Sequence, residues 1–183
     1  MNAEEKLEIL KHSRHDWMNV LQLLKTHAAL GKIEELQRVI EKTTFKASHE
    51  AKLSNVQAPA FALELITFHW EEHWFSIDFE VEDAFSARPD DQIWTRFFQG
   101  LASCIDEQAE RTRDNHLEIS INQNDGGVPC LELDFEGELK SPKRLEQWIR
   151  KESVMIDMIE YIEVSKEHLY CVIVDQAGGQ KEY

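Results

Sequence analysis

Five residues in one short stretch carry groups able to do chemistry: His12, Arg14, His15, Asp16 and Asn19. They are set between Leu10 and Leu21, where the apolar residues keep helical spacing. At about 100° per residue, His12, His15, Asn19 and Gln22 fall on one polar strip, because offsets of three and four return to the same helix face. A free imidazole titrates near about 6.5, so at neutral pH it is mostly uncharged and one ring nitrogen keeps its lone pair. Attack on a phosphoryl group needs such a lone pair, which makes His15 the candidate phosphoryl acceptor. Asp16 could orient the ring or take its proton, Asn19 could donate a hydrogen bond one turn on, and Arg14 could pair with phosphoryl oxygens. Phosphoryl transfer asks little more of a protein than this positioning and charge compensation. On spacing alone, a helix face that carries polar residues without chemistry is the simpler account.

The strip needs a helix to hold it. Leu7, Leu10, Arg14, Trp17, Leu21, Leu24 and Ala28 alternate steps of three and four, the seam pattern of a helix facing a helical partner. Arg14 interrupts that seam, so packing within a bundle competes with phosphate binding for its side chain. The spacing predicts a first helix from Ala3 to Leu30, a turn at Gly31-Lys32, and a second helix from Ile33 to Leu53 with Ile33, Leu36, Ile40, Thr43 and Ala47 on one face. A lone antiparallel hairpin buries little apolar surface, and Ile9, Met18, Val20, Leu23, Val39 and Phe45 exceed one seam. Two hairpins joined as a four-helix bundle in a homodimer would cover them; packing against the chain's own second half is the alternative.

Residues 1–55 are thus expected to be the dimerising hairpin and residues 56–183 a second domain, with Ser54 to Ala60 as the boundary. In the second part the patterns predict a helix from Phe61 to Trp74, a strand over Ser76–Glu82, and a helix from Pro89 to about Thr112. Strands over His116–Asn122 and Val128–Phe135 follow, joined by a turn at Asn124-Asp125-Gly126-Gly127. A helix from Ser141-Pro142 to Lys151, strands over Val154–Val164 and Leu169–Asp175, and a frayed tail from Gln176 complete the chain. That order fits an α/β sandwich with helices on one face of a sheet.

The formal charge of −15 argues against nucleic acid as a partner. It is unevenly spread, +1 over residues 1–52 and −16 over residues 53–183. Cys104, Cys130 and Cys171 are too few and too scattered for a disulfide framework or a C-x-x-C metal site and read as reduced core residues. No apolar run approaches the roughly 18 residues that span a bilayer, and no signal peptide pattern opens the chain, so a cytoplasmic protein is expected.

The run His15-Asp16-Trp17-Met18-Asn19, with Leu21 and Leu23 following, resembles the phosphoacceptor box of two-component histidine kinases. The wider stretch His12 to Asn19, with His49-Glu50-Ala51-Lys52-Leu53-Ser54-Asn55 and Leu65-Ile66-Thr67-Phe68, resembles the sporulation initiation phosphotransferase B family of endospore-forming bacteria. The likeness runs from Leu10 to Asp175. It implies a homodimer in which His15 takes a phosphoryl group from the aspartate of one response regulator and passes it to that of another. It also implies a second domain like a kinase ATP-binding domain that has lost its nucleotide. Glu107 stands where a magnesium-holding asparagine is expected, and Leu133-Asp134-Phe135-Glu136-Gly137 offers one glycine in place of a D-x-G-x-G box. On this reading no cofactor is intrinsic, and Mg2+ comes with the partner regulator. An ATP-using kinase and a non-catalytic regulator-binding scaffold are the alternatives. His69-Trp70-Glu71-Glu72-His73 matches the H-x-x-E-H zinc pattern but lacks a third ligand, and His12, His15 and Asp16 could hold a metal along one helix edge but lack a fourth. His27, His49, His116 and His168 show no partner pattern and read as surface residues.

Overall fold

The computed structural model describes residues 3–151 and 158–176, and the chain divides into two compact units, Met1–Glu50 and Ala51–Tyr183. In the first unit, α1 (Ala3–Ala29) and α2 (Ile33–Leu53) form the expected hairpin. Its turn follows from one glycine. Gly31 adopts φ +66°, where a side chain would be strained, and two bonds close the end of α1: Gly31 N–H to the Ala28 carbonyl (3.1 Å) and Lys32 N–H to that of His27 (3.0 Å). Glu34 and Glu35 then meet the positive end of α2.

Burial splits α1 into stripes. Ile9, Ser13, Asp16, Val20, Leu24 and His27, stepping by three and four, are half-buried. Leu7, Leu10, Arg14, Trp17 and Leu21 are exposed, as are Ile33, Ile40 and Phe45 of α2. The expected seam therefore exists as an uncovered apolar face of the single chain, and Leu24 alone of its leucines is partly covered.

The second unit takes in the last turn of α2, with Leu53 wholly buried and Lys52 paired to Asp83 at 2.6 Å. Then come α3 (Pro59–Thr67), a 3₁₀ turn (Phe68–Trp70), β1 (Ser76–Val81), α4 (Asp91–Gln108), β2 (His116–Gln123), β3 (Pro129–Glu136), α5 (Pro142–Lys151), β4 (Ile159–Val164) and β5 (His168–Val174). This is the expected order of elements. The part of the expected strand before Met158 lies outside the described residues, and so does the tail beyond Gln176. The sheet order is β1-β2-β3-β5-β4, with β1 and β2 parallel across the α4 crossover and the other pairs antiparallel.

One face of the sheet supplies Leu117, Ile119, Ile121, Leu131, Leu133, Phe135, Leu169, Cys171 and Ile173 to a core shared with Phe61, Leu65, Trp94, Phe97, Leu101, Leu145 and Ile149 of the helices. Trp148 of α5 closes on α4 because residue 100 is glycine; a Cβ there would lie 2.4 Å from its ring. The opposite face is solvated and acidic. None of the five strands contains lysine or arginine, and the register sets Asp78, Glu118 and Asp134 side by side across β1, β2 and β3. Like charges directly opposite one another repel, so this row weakens the sheet that carries it.

Acidic side chains fix the helix starts from both near and far. Asp90 accepts from the backbone of Gln92 and Ile93 as the N-cap of α4. Asp91 accepts instead from Ala60 and Phe61, satisfying the first turn of α3 some 31 residues earlier in the chain. The buried Asp175 holds the Asp90 N–H at 2.7 Å.

Two helices end earlier than their sequence patterns predict. α3 stops at Thr67, and Glu71 is extended (φ −106°, ψ 161°). α4 stops at Gln108, where Ala109 turns extended and the Glu110 N–H bonds to the Glu138 carbonyl. In both places long-range partners claim the backbone that local periodicity would have kept helical.

Asn115 is the tie that gathers these ends. Its buried amide donates to the carbonyls of Trp74, Glu110 and Arg113 and accepts from Glu138 N–H, all between 2.9 and 3.2 Å. Gly137 makes room for it, since a Cβ at that position would lie 2.3 Å from Asn115 Oδ1. Asn115→Ala leaves the carbonyls of Trp74, Glu110 and Arg113 without this donor and should cost about 2–4 kcal/mol in a urea titration, and Asn115→Asp should cost at least as much, because it sets a buried carboxylate oxygen against the same three carbonyls.

All three cysteines are free and buried. Burial pushes the Cys171 thiol up to about 12 from its usual 9.0. The unfolded chain ionises this thiol first, so its contribution to stability is lost as pH rises above the unfolded value. Between pH 8 and pH 10 the wild-type Tm should fall further than that of Cys171→Ala.

Candidate functional site

The five chemistry-bearing residues lie on three turns of α1, and helical geometry sorts them. With about 100° per residue, His15 shares a face with Glu8, Lys11, Asn19 and Gln22. Arg14 points about 100° away, onto the exposed apolar face with Leu10, Trp17 and Leu21. Asp16 points the other way, onto the half-buried stripe with Val20.

His15 is open to solvent, with its side chain 72% exposed. Its Nδ1 lies 3.3 Å from Asn19 Nδ2 and 3.7 Å from Asp16 Oδ1. The longer distance is beyond a hydrogen bond, so the neighbour that reaches the ring is the amide. Of the two expected supporting residues, Asn19 is therefore the one within hydrogen-bond reach of the imidazole, and Asp16 is not. The amide can offer either its nitrogen or its oxygen to Nδ1, and the oxygen facing an Nδ1–H leaves the lone pair on Nε2, away from the helix. His12 sits one turn earlier with Nε2 3.5 Å from Glu8 Oε1. Arg14 is exposed and forms no ion pair or hydrogen bond among the described residues.

Lys11 is the charged neighbour that a reading centred on the His-Asp-x-x-Asn run leaves out. It occupies the strip of His15 one turn before it, and its Nζ is 2.9 Å from Glu8 Oε1. The same four-residue offset that picks out Asn19 on one side of His15 picks out Lys11 on the other.

The remaining candidates separate in the structure. His69 lies in the 3₁₀ turn and His73 beyond it in the loop before β1, so the zinc pattern does not fall on one helix face. His73 stacks flat on Phe68 at 3.8 Å and its Nδ1 meets Asp106 Oδ2 at 2.7 Å. Asp106 also accepts from Trp74 N–H, which pins the entry to β1 against α4. Among the described residues, no three His, Cys, Asp or Glu side chains converge on a metal position. Glu107 is paired with Arg144 at 3.1 Å. The histidines expected at the surface are partly or wholly covered: His49 is buried and packed on Phe45, His168 meets Asp134 at 2.9 Å, and His116 lies 3.7 Å from Asp78. No helix among the described residues is long and apolar enough to cross a membrane.

Comparison with known proteins meets this geometry from outside. Residues 1–56 match a family model described as sensor kinase SpoOB-type, alpha-helical domain, and residues 57–175 match one described as sporulation initiation phospho-transferase B, C-terminal. Over 175 residues the chain is 31% identical to the sporulation initiation phosphotransferase B of Bacillus subtilis (strain 168), covering 94% of this chain and 91% of that protein. Among solved structures, the blue-light activated histidine kinase of Erythrobacter litoralis EL346 aligns with a TM-score of 0.45 at 9% identity, over 91% of this chain and 60% of that one.

Proposed function

Because the chain belongs to the sporulation initiation phosphotransferase B family, we propose that it is a phosphotransferase of the sporulation phosphorelay that carries the phosphoryl group on His15. The observation that supports this most is the exposed His15 imidazole, held at Nδ1 by Asn19 on an α-helix whose neighbouring face is apolar and uncovered.

In the first step the lone pair of His15 attacks the phosphorus of an aspartyl phosphate on the donor response regulator. An N–P bond forms, the P–O bond to the donor breaks, and the carboxylate departs with its electron pair. In the second step an aspartate oxygen of the acceptor regulator attacks the same phosphorus and the electron pair returns to the imidazole. Asn19 holds the ring through both steps, so the nitrogen that gives up the phosphoryl group is the one that received it. Mg2+ would be held by the acidic pocket of the regulator and would there neutralise the transferring oxygens. The working form is a homodimer in the cytoplasm, in which two hairpins pack as a four-helix bundle through Leu7, Leu10, Trp17 and Leu21. Arg14 then lies within the seam of that bundle, among Leu7, Leu10, Trp17 and Leu21, and is its packing residue in preference to a phosphate ligand.

Mixing the protein with a radiolabelled phosphorylated response regulator should transfer acid-labile, alkali-stable label to wild type and none to His15→Ala; label of equal amount on both would sink the assignment. Incubation with ATP alone should label neither, and phosphohistidine formed there would identify a kinase instead. In sedimentation equilibrium, Trp17→Glu should run as a monomer where the wild type runs as a dimer, since it places a carboxylate in the apolar face.

A further inference from the structure

We propose that Lys11 is the cation that neutralises the phosphoryl group on His15, and that Glu8 holds it in reserve while His15 is unmodified. The proposal rests on His15 as the acceptor and adds to it a residue that exchanges partners during the relay.

Three observations lead to it. Lys11 is the basic residue on the strip that carries His15, one helical turn before it, whereas Arg14 is turned onto the apolar face. In the unmodified protein the Lys11 ammonium is bound to Glu8 at 2.9 Å, and both side chains are more than half exposed. Lys11, through its hydrogen bond first and its charge second, holds the Glu8 carboxyl below the usual carboxylate range.

An exposed pair of this kind binds weakly, so the lysine can leave it at small cost. A phosphoryl group on His15 brings a charge of about −1.5 to −2 and three strong acceptor oxygens to the same strip. Glu8 offers a single negative charge, so the ammonium moves one turn along the helix to the larger one. Lysine suits this exchange because its ammonium is a compact charge with three rotatable donors on a flexible stem. Glu8 then keeps His12 within 3.5 Å as a remaining neighbour. The outcome is a more stable phosphohistidine, hence an equilibrium between aspartyl phosphate and phosphohistidine shifted toward His15. Covalent bonding is that of the transfer already described; only the ion pair changes.

The test measures the equilibrium constant for phosphoryl exchange between the full-length protein and a response regulator that charges wild-type His15. Effects on docking rate cancel from an equilibrium, so the measurement reports the stability of the phosphohistidine itself. Lys11→Gln should lower the constant about two- to five-fold, the range expected of an exposed charge pair, and Lys11→Arg should restore most of it. Glu8→Gln should raise it by about two-fold in wild type and leave it unchanged in the Lys11→Gln background, because the two residues act as one unit. All of these differences should shrink as salt rises from 0.05 to 0.5 M, as roughly expected from screening. Wild-type values for Lys11→Gln, or additive effects of the two substitutions, overturn the proposal while leaving His15 as the acceptor. Label that persists in His15→Ala overturns both.

Discussion

One helix has to meet three surroundings at once, and the 3.6-residue turn is what allows it. Along α1, Ile9, Val20 and Leu24 lie on the stripe half-buried in the hairpin, Leu7, Leu10, Trp17 and Leu21 on an apolar face left uncovered, and Lys11, His15 and Asn19 on a strip open to solvent. Each set repeats at three and four residues, and the sets are offset by about a third of a turn. A reactive imidazole needs rigid backbone beneath it and free approach above it. A helix held along one face by the hairpin and open at His15 supplies both, and the Asn19 amide at 3.3 Å fixes the ring on that open face.

The second unit solves a different problem, the joining of segments that no local pattern connects. Asp91 caps α3 from the start of α4, Asp175 grips the Asp90 amide from the end of β5, and Asn115 binds the carbonyls of Trp74 before β1 and of Glu110 and Arg113 after α4. Apart from the exposed Ala60–Asp91 bond, these polar ties are half-buried, where an unmade hydrogen bond is expensive. The solvated side of the sheet shows where the acidity of this unit goes. Eight carboxylates on strands without a single lysine or arginine include a row of like charges across β1, β2 and β3, and the packed core on the other face offsets the repulsion.

Much of the site was legible from spacing. The strip of His12, His15, Asn19 and Gln22 and the apolar seam beside it follow from residue order alone, because the rotation per residue in a helix does not depend on the fold around it. The distances within the strip were not legible. That Asn19 rather than Asp16 reaches Nδ1 depends on side-chain rotamers, which residue spacing leaves open. Lys11 could have been found by the same arithmetic, but it lies outside the run that motif reading emphasises. His49 read as a surface residue because its neighbours are polar and a half-turn of sequence does not reveal what packs over it.

The number, order and type of elements were determined by the sequence itself: two long amphipathic helices about Gly31, then helices and strands with periods of 3.6 and 2 in the order observed. Those signals are local, since they reflect backbone geometry and the need to hide one face of each element. Tertiary structure alone decided where helices stop, which strands lie side by side, and what each polar group binds. α3 ends at Thr67 although its apolar pattern continues to Trp74, because the chain beyond is pinned by Asp106 and stacked on Phe68. The alignment of Asp78, Glu118 and Asp134 is likewise set by strand register, a choice made between residues far apart in the chain. Such pairings depend on which loops close and on the best burial of the whole core, and no window of neighbouring residues contains that information.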